Sequence, residues 1–145
     1  MAEKFNNYLV SVPFSSNNKS VTIIPQQGVS FPIQGQTVNY SIGTRTAGST
    51  SQIHSIYLTK ADVSEIIEKP EDNAAVVSIS VYDTINGTEY FIAKAVYVLP
   101  NSSFYIEKTI TLKPQDSIKL TYHGNKAKQF PAITIDAVCS GVDLT

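Results

Sequence analysis

The stretch that decides the fold is AVVSISVYDTINGTEYFIAKAVYV, residues 75–98. Its first eight residues place valine and isoleucine at every second position, with Ser78 and Ser80 between them. This period of two is typical of a strand that buries one face. The Asn86-Gly87 pair that follows supplies residue types that tolerate the positive φ of a tight hairpin. The sequence therefore predicts an antiparallel hairpin whose return strand runs from Glu89 to Val98.

Similar segments lie on both sides of this hairpin. Residues 53–59 precede it, and residues 104–112, 118–122 and 133–137 follow it, with turn residues between them at the spacing of a sandwich or barrel. Lys108 breaks the apolar alternation of its segment, which predicts a bulge or an exposed end there. We therefore predict an all-β protein, an antiparallel β-sandwich of jelly-roll or immunoglobulin-like type.

Two parts of the chain depart from this pattern. Residues 61–69, ADVSEIIEK, are the only helix candidate, and they could equally form an edge strand. The first 51 residues carry short apolar pieces between polar connectors, so we expect short strands or an arm packed on the same domain or on neighbours. The chain thus divides into an N-terminal arm with short strands, residues 1–51, and a β-sandwich core, residues 52–145, with at most one short helix in an insertion.

Composition supports the fold class and excludes several functions. Isoleucine, valine and threonine are abundant, whereas leucine and methionine are scarce, a balance that favours half-buried pleated surface. The formal net charge is −1 and Arg45 is the single arginine, so the chain lacks the basic surface that binds nucleic acid directly. No apolar run approaches the roughly 20 residues of a membrane helix, and one cysteine makes no internal disulfide. We expect a soluble chain that is made in the cytoplasm and binds neither nucleic acid nor membrane.

Residues for catalysis or for a cofactor are few. His54 and His123 are the only histidines, and each lies on or at the end of a predicted strand without an evident orienting partner. Cys139 has no flanking cation to stabilise a thiolate, so we interpret it as a small buried residue. The sequence contains no nucleophile elbow, phosphate loop, zinc motif or calcium loop. We therefore predict no catalytic residue, no cofactor, no metal site and no enzymatic activity.

Five segments resemble a known family. They are IHSIYL (53–58), VVSISVYD (76–83), GTEYFIAK (87–94), LPNSS (99–103) and LKPQDSIKL (112–120). Together they resemble the small β-sandwich virion structural proteins of tailed bacteriophages, which serve as accessory parts of heads, necks or tails. The resemblance covers about residues 53 to 140, and the first fifty residues and the 61–73 segment lie outside its pattern. It implies a non-enzymatic structural protein and offers no catalytic residues.

This resemblance sets the functional expectation. We expect a phage virion protein, with a capsid decoration or cement role first and a neck or tail adaptor or ring component as the alternative. Its partners would be the major capsid protein, or neck or tail proteins of the same virion, and the chain would form a homo-oligomer in the assembly. A further alternative is a glycan- or receptor-binding β-sandwich module, which predicts an exposed strip among the eight tyrosines and six phenylalanines.

Contacts with neighbours are expected from three segments outside the predicted strands of the core. They are the arm, the loop of residues 44–51 and the insertion of residues 61–73. The candidate contact residues are Phe5, Tyr8, Phe14, Arg45, Ile66 and Ile67.

Overall fold

The computed structural model describes residues 3–14, 20–27, 39–42, 45, 48, 50–60, 74–99, 102–126 and 133–144. Within these ranges the chain forms ten strands and no helix. The strands are β1 (Glu3–Phe14), β2 (Ser20–Ile24), β3 (Asn39–Ile42), β4 (Thr50–Lys60), β5 (Ala75–Asp83), β6 (Thr88–Val98), β7 (Ser103–Ile106), β8 (Ile110–Leu112), β9 (Asp116–Asn125) and β10 (Ile133–Leu144). The predicted helix segment, residues 61–69, lies outside the described residues.

The strands form two antiparallel sheets. The larger sheet has the order β3-β1-β10-β4-β7, and β8 also pairs with β4. The smaller sheet has the order β2-β9-β5-β6. Each sheet turns one face inward, and the two inner faces share one apolar core, as the contact between the Phe14 ring of β1 and the Tyr122 ring of β9 shows at 5.4 Å. The prediction of an all-β antiparallel sandwich is confirmed.

Alternation along the strands builds this core. On β1 the even-numbered residues from 6 to 14 are buried, and on β9 Ile118, Leu120 and Tyr122 point inward as predicted. Fully burying one such aliphatic side chain contributes about 1.5–3 kcal/mol. The apolar interior therefore sets which face of each strand points inward and holds the sheets together.

β1 is an internal strand of the larger sheet. It pairs with β10 without interruption from Glu3 opposite Leu144 to Phe14 opposite Ile133, and its other edge pairs with β3. β10 in turn pairs with β4, with a bulge between Ser140 and Gly141. A Cβ atom on Gly141 would lie 2.5 Å from the carbonyl oxygen of Gln52, so this close approach requires glycine.

The hairpin is longer than the sequence predicts. Asp83 pairs with Thr88, so the connection has four residues, and only its last one, Gly87, has positive φ, at 68°. The Asp83 carboxylate accepts the backbone N–H groups of Ile85 and Asn86 and the side-chain amide of Asn86. Because these bonds satisfy the backbone N–H groups in the turn, they stabilise a wider loop than an Asn-Gly pair alone would form.

Strand β5 is buried on both faces, whereas the alternation predicts one. Val77 and Ile79 line the core as predicted, but Ser78 and Ser80 are each only 1% exposed. Both serine hydroxyls are hydrogen-bonded, to groups on β6 and β9. The small polar side chains of an internal strand are covered by longer neighbours on the outer face.

Candidate protein-contact surface

The side chains considered for catalysis make hydrogen bonds and packing contacts that stabilise the fold. Ser78 Oγ lies 2.7 Å from Nε2 of His123 and accepts the backbone N–H of Ala95 at 2.9 Å. Ala95 has a φ of 53°, so the serine holds a strained bulge in β6. Because Ser78 is 1% exposed, its hydroxyl has no access to a substrate. We assign this Ser-His pair a structural role.

His54 and Cys139 likewise lack the geometry of an active site. Nδ1 of His54 lies 3.4 Å from the Thr109 hydroxyl, and Cys139 is buried in the core, where burial raises the pKa of its thiol to about 12. In the described part of the chain, no three His, Cys, Asp or Glu side chains lie close enough to hold a metal ion. The described residues also contain no helix that is long and apolar enough to cross a membrane.

Two of the candidate contact residues point into the core. Tyr8 is 0% exposed and Phe14 is 1% exposed, because both are even-numbered residues of β1 and that parity faces inward. Phe14 packs on Tyr122 of the opposite sheet. The expectation that these rings form a surface for neighbours is therefore corrected: they fill the interior of their own chain.

Arg45 is also interior, at 3% exposure, although its surrounding sequence resembles an exposed loop. Its guanidinium donates five hydrogen bonds of 2.6 to 3.3 Å, which reach both sheets. The acceptors are the Ser51 hydroxyl and the backbone carbonyl oxygens of Pro25, Leu112, Lys113 and Asp116. This fork connects β4 and β8 of the larger sheet with the ends of β2 and β9 of the smaller sheet, so Arg45 is a structural cross-link and not a contact residue.

Asp143 completes a buried polar network with Arg45. Its two carboxylate oxygens accept the Ser51 hydroxyl at 2.6 Å and the Asn6 amide at 2.8 Å. Burial lowers the pKa of Arg45, and the negative charge of Asp143 opposes that shift. Burial, with the nearby Asp143 charge, raises the pKa of Tyr8 to about 12, so the phenol is neutral at physiological pH. The network supplies a buried charge with hydrogen-bonding partners, as an interior ion requires.

The remaining candidates divide between exposed and undescribed positions. Phe5 lies on the odd, outward parity of β1 and is 79% exposed, the highest value among the large apolar side chains described. Ile66 and Ile67 lie outside the described residues. Of the six candidates, Phe5 alone is shown on the surface.

A continuous apolar row crosses the outer face of the larger sheet. Leu9 on β1 pairs with Val138 on β10, Val138 pairs with Tyr57 on β4, and Tyr57 pairs with Tyr105 on β7. Leu9, Val138 and Tyr105 are exposed, and Tyr57 is half-buried beneath its neighbours. The two tyrosine rings stack at 5.8 Å between centroids, and the Tyr57 hydroxyl donates to Glu107. We call these four side chains the outer row.

Polar rows border the outer row on both sides. One side contains the hydroxyl contact between Ser55 and Ser140, at 2.7 Å. The other contains the bond from Ser11 to Asp136, at 2.7 Å, and the contact between Thr59 and Ser103. Phe5 adds a further exposed ring on the same face, four residues before Leu9 along β1. The face therefore has an apolar centre with hydrogen-bonded polar flanks.

A second group of exposed apolar residues lies along β6, the strand at one edge of the smaller sheet. It contains Tyr90, Phe91 and Tyr97, which are between 46% and 62% exposed, with Lys94 above the Phe91 ring at 5.0 Å. Register shifts interrupt the pairing of β6 with β5. Bulges of this kind hinder further strand pairing at an edge, so the side chains of β6 are better placed for contact than its backbone.

The sequence reasoning missed the outer row because its members come from four strands. Each member has an ordinary alternation signal, but their alignment depends on the register of three strand pairs. A signal was available for Leu9: its odd parity on the segment from Tyr8 to Val12 placed it opposite the core residues. Arg45 gave no local signal, because its acceptors lie far from it along the chain.

Comparisons with known proteins identify no family for this chain. No protein-family model matches this chain, and no curated protein matches it. Among solved structures, a chain in the structure of infectious bursal disease virus, Gx strain, is similar with a TM-score of 0.46 and 8% sequence identity. The alignment covers 99% of this chain and 33% of that chain, so this chain spans a third of the length of its structural neighbour.

Proposed function

We propose that this chain is a non-enzymatic structural protein of a phage virion, first of all a decoration or cement protein that docks on the major capsid protein. The observation that carries the proposal is the outer row, in which four apolar side chains align across β1, β10, β4 and β7. Three of its members remain exposed in the isolated chain. An aligned exposed row of this kind is suited to contact with a partner.

The surroundings of the outer row support a protein partner. Protein interfaces combine an apolar centre that contains aromatic anchors with a polar rim, and the serine and threonine contacts beside the row supply such a rim. The Tyr57 and Tyr105 rings stack on each other, so each covers one face of the other. The stacked pair continues the row of Leu9 and Val138 across four strands, and an apolar row of this length favours contact with a protein surface.

A decoration role explains how a small docking surface can be sufficient for stable attachment to a shell. Copies on a symmetric shell bind equivalent positions, and contacts between neighbouring copies add to each attachment through a high effective concentration. The exposed side chains of β6 are the proposed contacts between copies, which makes the chain a homo-oligomer in the assembly. A neck or tail ring is the alternative assembly, with about a dozen copies instead of hundreds.

The experiment replaces the outer row and counts copies in purified particles. We expect Tyr57→Ser with Tyr105→Ser to reduce incorporation about tenfold, because interface aromatics are frequent hot spots. Ile85→Ser is the control, because it removes an exposed apolar side chain from the loop after β5, outside both the outer row and β6, and we expect it to retain attachment to the shell. Quantitative mass spectrometry against the major shell protein gives the readout, after circular dichroism has shown that both variants are folded.

The same measurement separates the alternatives. Hundreds of copies of the unmodified chain support decoration, and six to twelve copies support a neck or tail ring. Undiminished incorporation of the Tyr57/Tyr105 variant would overturn the outer row as the docking surface. Absence of the unmodified chain from particles would overturn the virion role.

A further inference from the structure

A cavity of about 250 Å³ lies on the other sheet. It forms on the smaller sheet where β5 ends and β9 begins, beside the turn that follows β2. Its wall contains the Tyr82 ring, the Lys119 side chain and four uncharged polar side chains, those of Thr22, Gln26, Thr84 and Ser117. The cavity holds about eight water molecules at roughly 30 Å³ each, which is room for one small ring and not for an extended chain.

Most of these polar side chains make no hydrogen bond with other described residues. Thr22 is 9% exposed and Ser117 is 4% exposed, yet neither side chain has a hydrogen-bond partner among the described residues, and the same holds for the Gln26 amide. Thr84 differs, because its hydroxyl donates to the carbonyl oxygen of Gln115 at 2.8 Å and is left only as an acceptor. The Thr22 and Ser117 hydroxyls and the Gln26 amide are therefore available to hydrogen-bond with water or with a polar ligand in the cavity.

Lys119 gives the cavity a positive charge. Its ammonium lies 3.8 Å from the centroid of the Tyr82 ring, and it forms no ion pair with a carboxylate in the described part of the chain. Neighbouring carboxylates are engaged elsewhere: Glu89 accepts the Ser80 hydroxyl, and Asp83 holds the hairpin loop. The half-buried Lys119 side chain therefore brings to the cavity a positive charge that no carboxylate of the described residues pairs with.

The ligand class follows from these groups. One ammonium matches the single charge of a carboxylate better than the charge of about −1.5 to −2 on a phosphate group. Threonine and serine hydroxyls and a glutamine amide pair with several hydroxyl groups, and the Tyr82 and Pro25 side chains offer apolar wall to the carbon skeleton of a ring. We propose that this cavity binds one carboxylate-bearing sugar unit, with its carboxylate on Lys119 and its hydroxyl groups on Thr22, Gln26 and Ser117.

This site is independent of the proposed docking surface. The outer row belongs to the larger sheet and the cavity to the smaller sheet, so the two lie on different sheets of the sandwich. A copy attached through the outer row would keep the sugar site open to solution. The inference goes beyond the virion role, and either can fail without the other.

The test titrates the full chain with methyl glucuronide and follows amide resonances by NMR. We expect shifts at Thr22, Tyr82, Ser117 and Lys119, weaker or absent shifts with uncharged methyl glucoside, and no localised shifts with acetate. Lys119→Met keeps the aliphatic stem and removes the charge, and we expect it to weaken binding about tenfold. Lys94→Met is the matched control, because Lys94 also lies over an aromatic ring but outside the cavity, and its binding is expected to be unchanged.

Each result decides the proposal. Equal binding by Lys119→Met and the unmodified chain would overturn the assignment of the carboxylate to Lys119. Equal shifts with acetate would overturn recognition of the sugar, and the absence of any shift with methyl glucuronide and methyl galacturonide would overturn the site. The Tyr57/Tyr105 variant of the outer row serves as the second control and is expected to bind the sugar as the unmodified chain does.

Discussion

The outer faces of the two sheets depart from simple alternation in opposite ways. On the larger sheet, apolar side chains such as Leu9 and Val138 lie exposed in an aligned row. On the smaller sheet, polar side chains such as Ser78, Ser80 and Ser117 are buried. Exposed apolar rows and buried polar groups are the informative exceptions on a protein surface. The comparison teaches that the larger sheet carries an apolar row suited to a macromolecule, whereas the internal strands of the smaller sheet carry buried polar groups and its exposed apolar side chains lie along the edge strand β6.

The largest effect on stability is expected at Arg45, which cross-links the two sheets. Arg45→Met removes five hydrogen bonds, leaves four backbone carbonyl oxygens without this donor and takes away a positive charge near the buried Asp143 carboxylate, so we expect a loss of about 3–5 kcal/mol in the free energy of unfolding. Chemical denaturation measures this loss. Arg45→Lys is the control: it keeps the charge but loses the planar fork, and we expect an intermediate stability. A loss below about 1 kcal/mol for Arg45→Met would show that the sheets do not depend on this residue.

A smaller effect compares one serine from each face. Ser78→Ala leaves the Ala95 N–H of the β6 bulge without its acceptor and should cost about 1 kcal/mol of stability. Ser55→Ala on the larger sheet removes one hydroxyl contact at a half-buried site, where water replaces it, and should stay within about 0.5 kcal/mol. The two variants are compared by thermal unfolding under the same conditions. Equal losses would remove the distinction between a buried and a solvated polar face.

The smallest expected effect is a dependence of the free energy of unfolding on pH. Hydrogen bonds from the Asn86 side chain and backbone hold the pKa of Asp83 below its ordinary value of 3.8. A carboxyl group with a lowered pKa in the folded state contributes stability that is complete above the ordinary value and is lost as the pH falls through the lowered one. We therefore expect Asp83→Asn to reduce stability at pH 7 and to flatten the loss of stability below pH 3.8. Unfolding curves between pH 2 and pH 7 measure both slopes, and parallel slopes would contradict the role of Asp83.

Much of the fold could be predicted because it rests on local alternation. The segments around Ile56, Ile79, Leu120 and Ile135 each carry a period of two, and each forms the expected strand. The position of β1 was less accessible, because the segment from Tyr8 to Val12 looks like a short isolated piece until its partner β10 is known. Neighbouring residues determine whether a segment forms a strand, whereas the order of the strands in a sheet depends on partners that are distant in the chain.

The candidate contact residues show the same division. Phe5 lies on the outward parity of β1 and is exposed, and its contact with a neighbour stays a prediction. Tyr8 and Phe14 share the opposite parity and belong to the core, and their aromatic character alone did not distinguish an anchor for a neighbour from one for the interior. Arg45 was misplaced since polarity indicates exposure only where no buried acceptors converge, and four backbone carbonyls converge on it.

The position of β10 also sets the order in which the molecule can be completed during synthesis. Residues 133–144 provide the strand that joins β1 to β4, so the larger sheet stays divided until β10 has left the ribosome. The β5-β6 hairpin and its β9 neighbour are made earlier and need no residue beyond Asn125 for their pairing. Contacts between residues more than a hundred positions apart form slowly, because closing a long loop costs entropy before the pairing stabilises it. The nascent chain can therefore pair β5, β6 and β9 of the smaller sheet before β10, the strand that joins the members of the outer row, has been made.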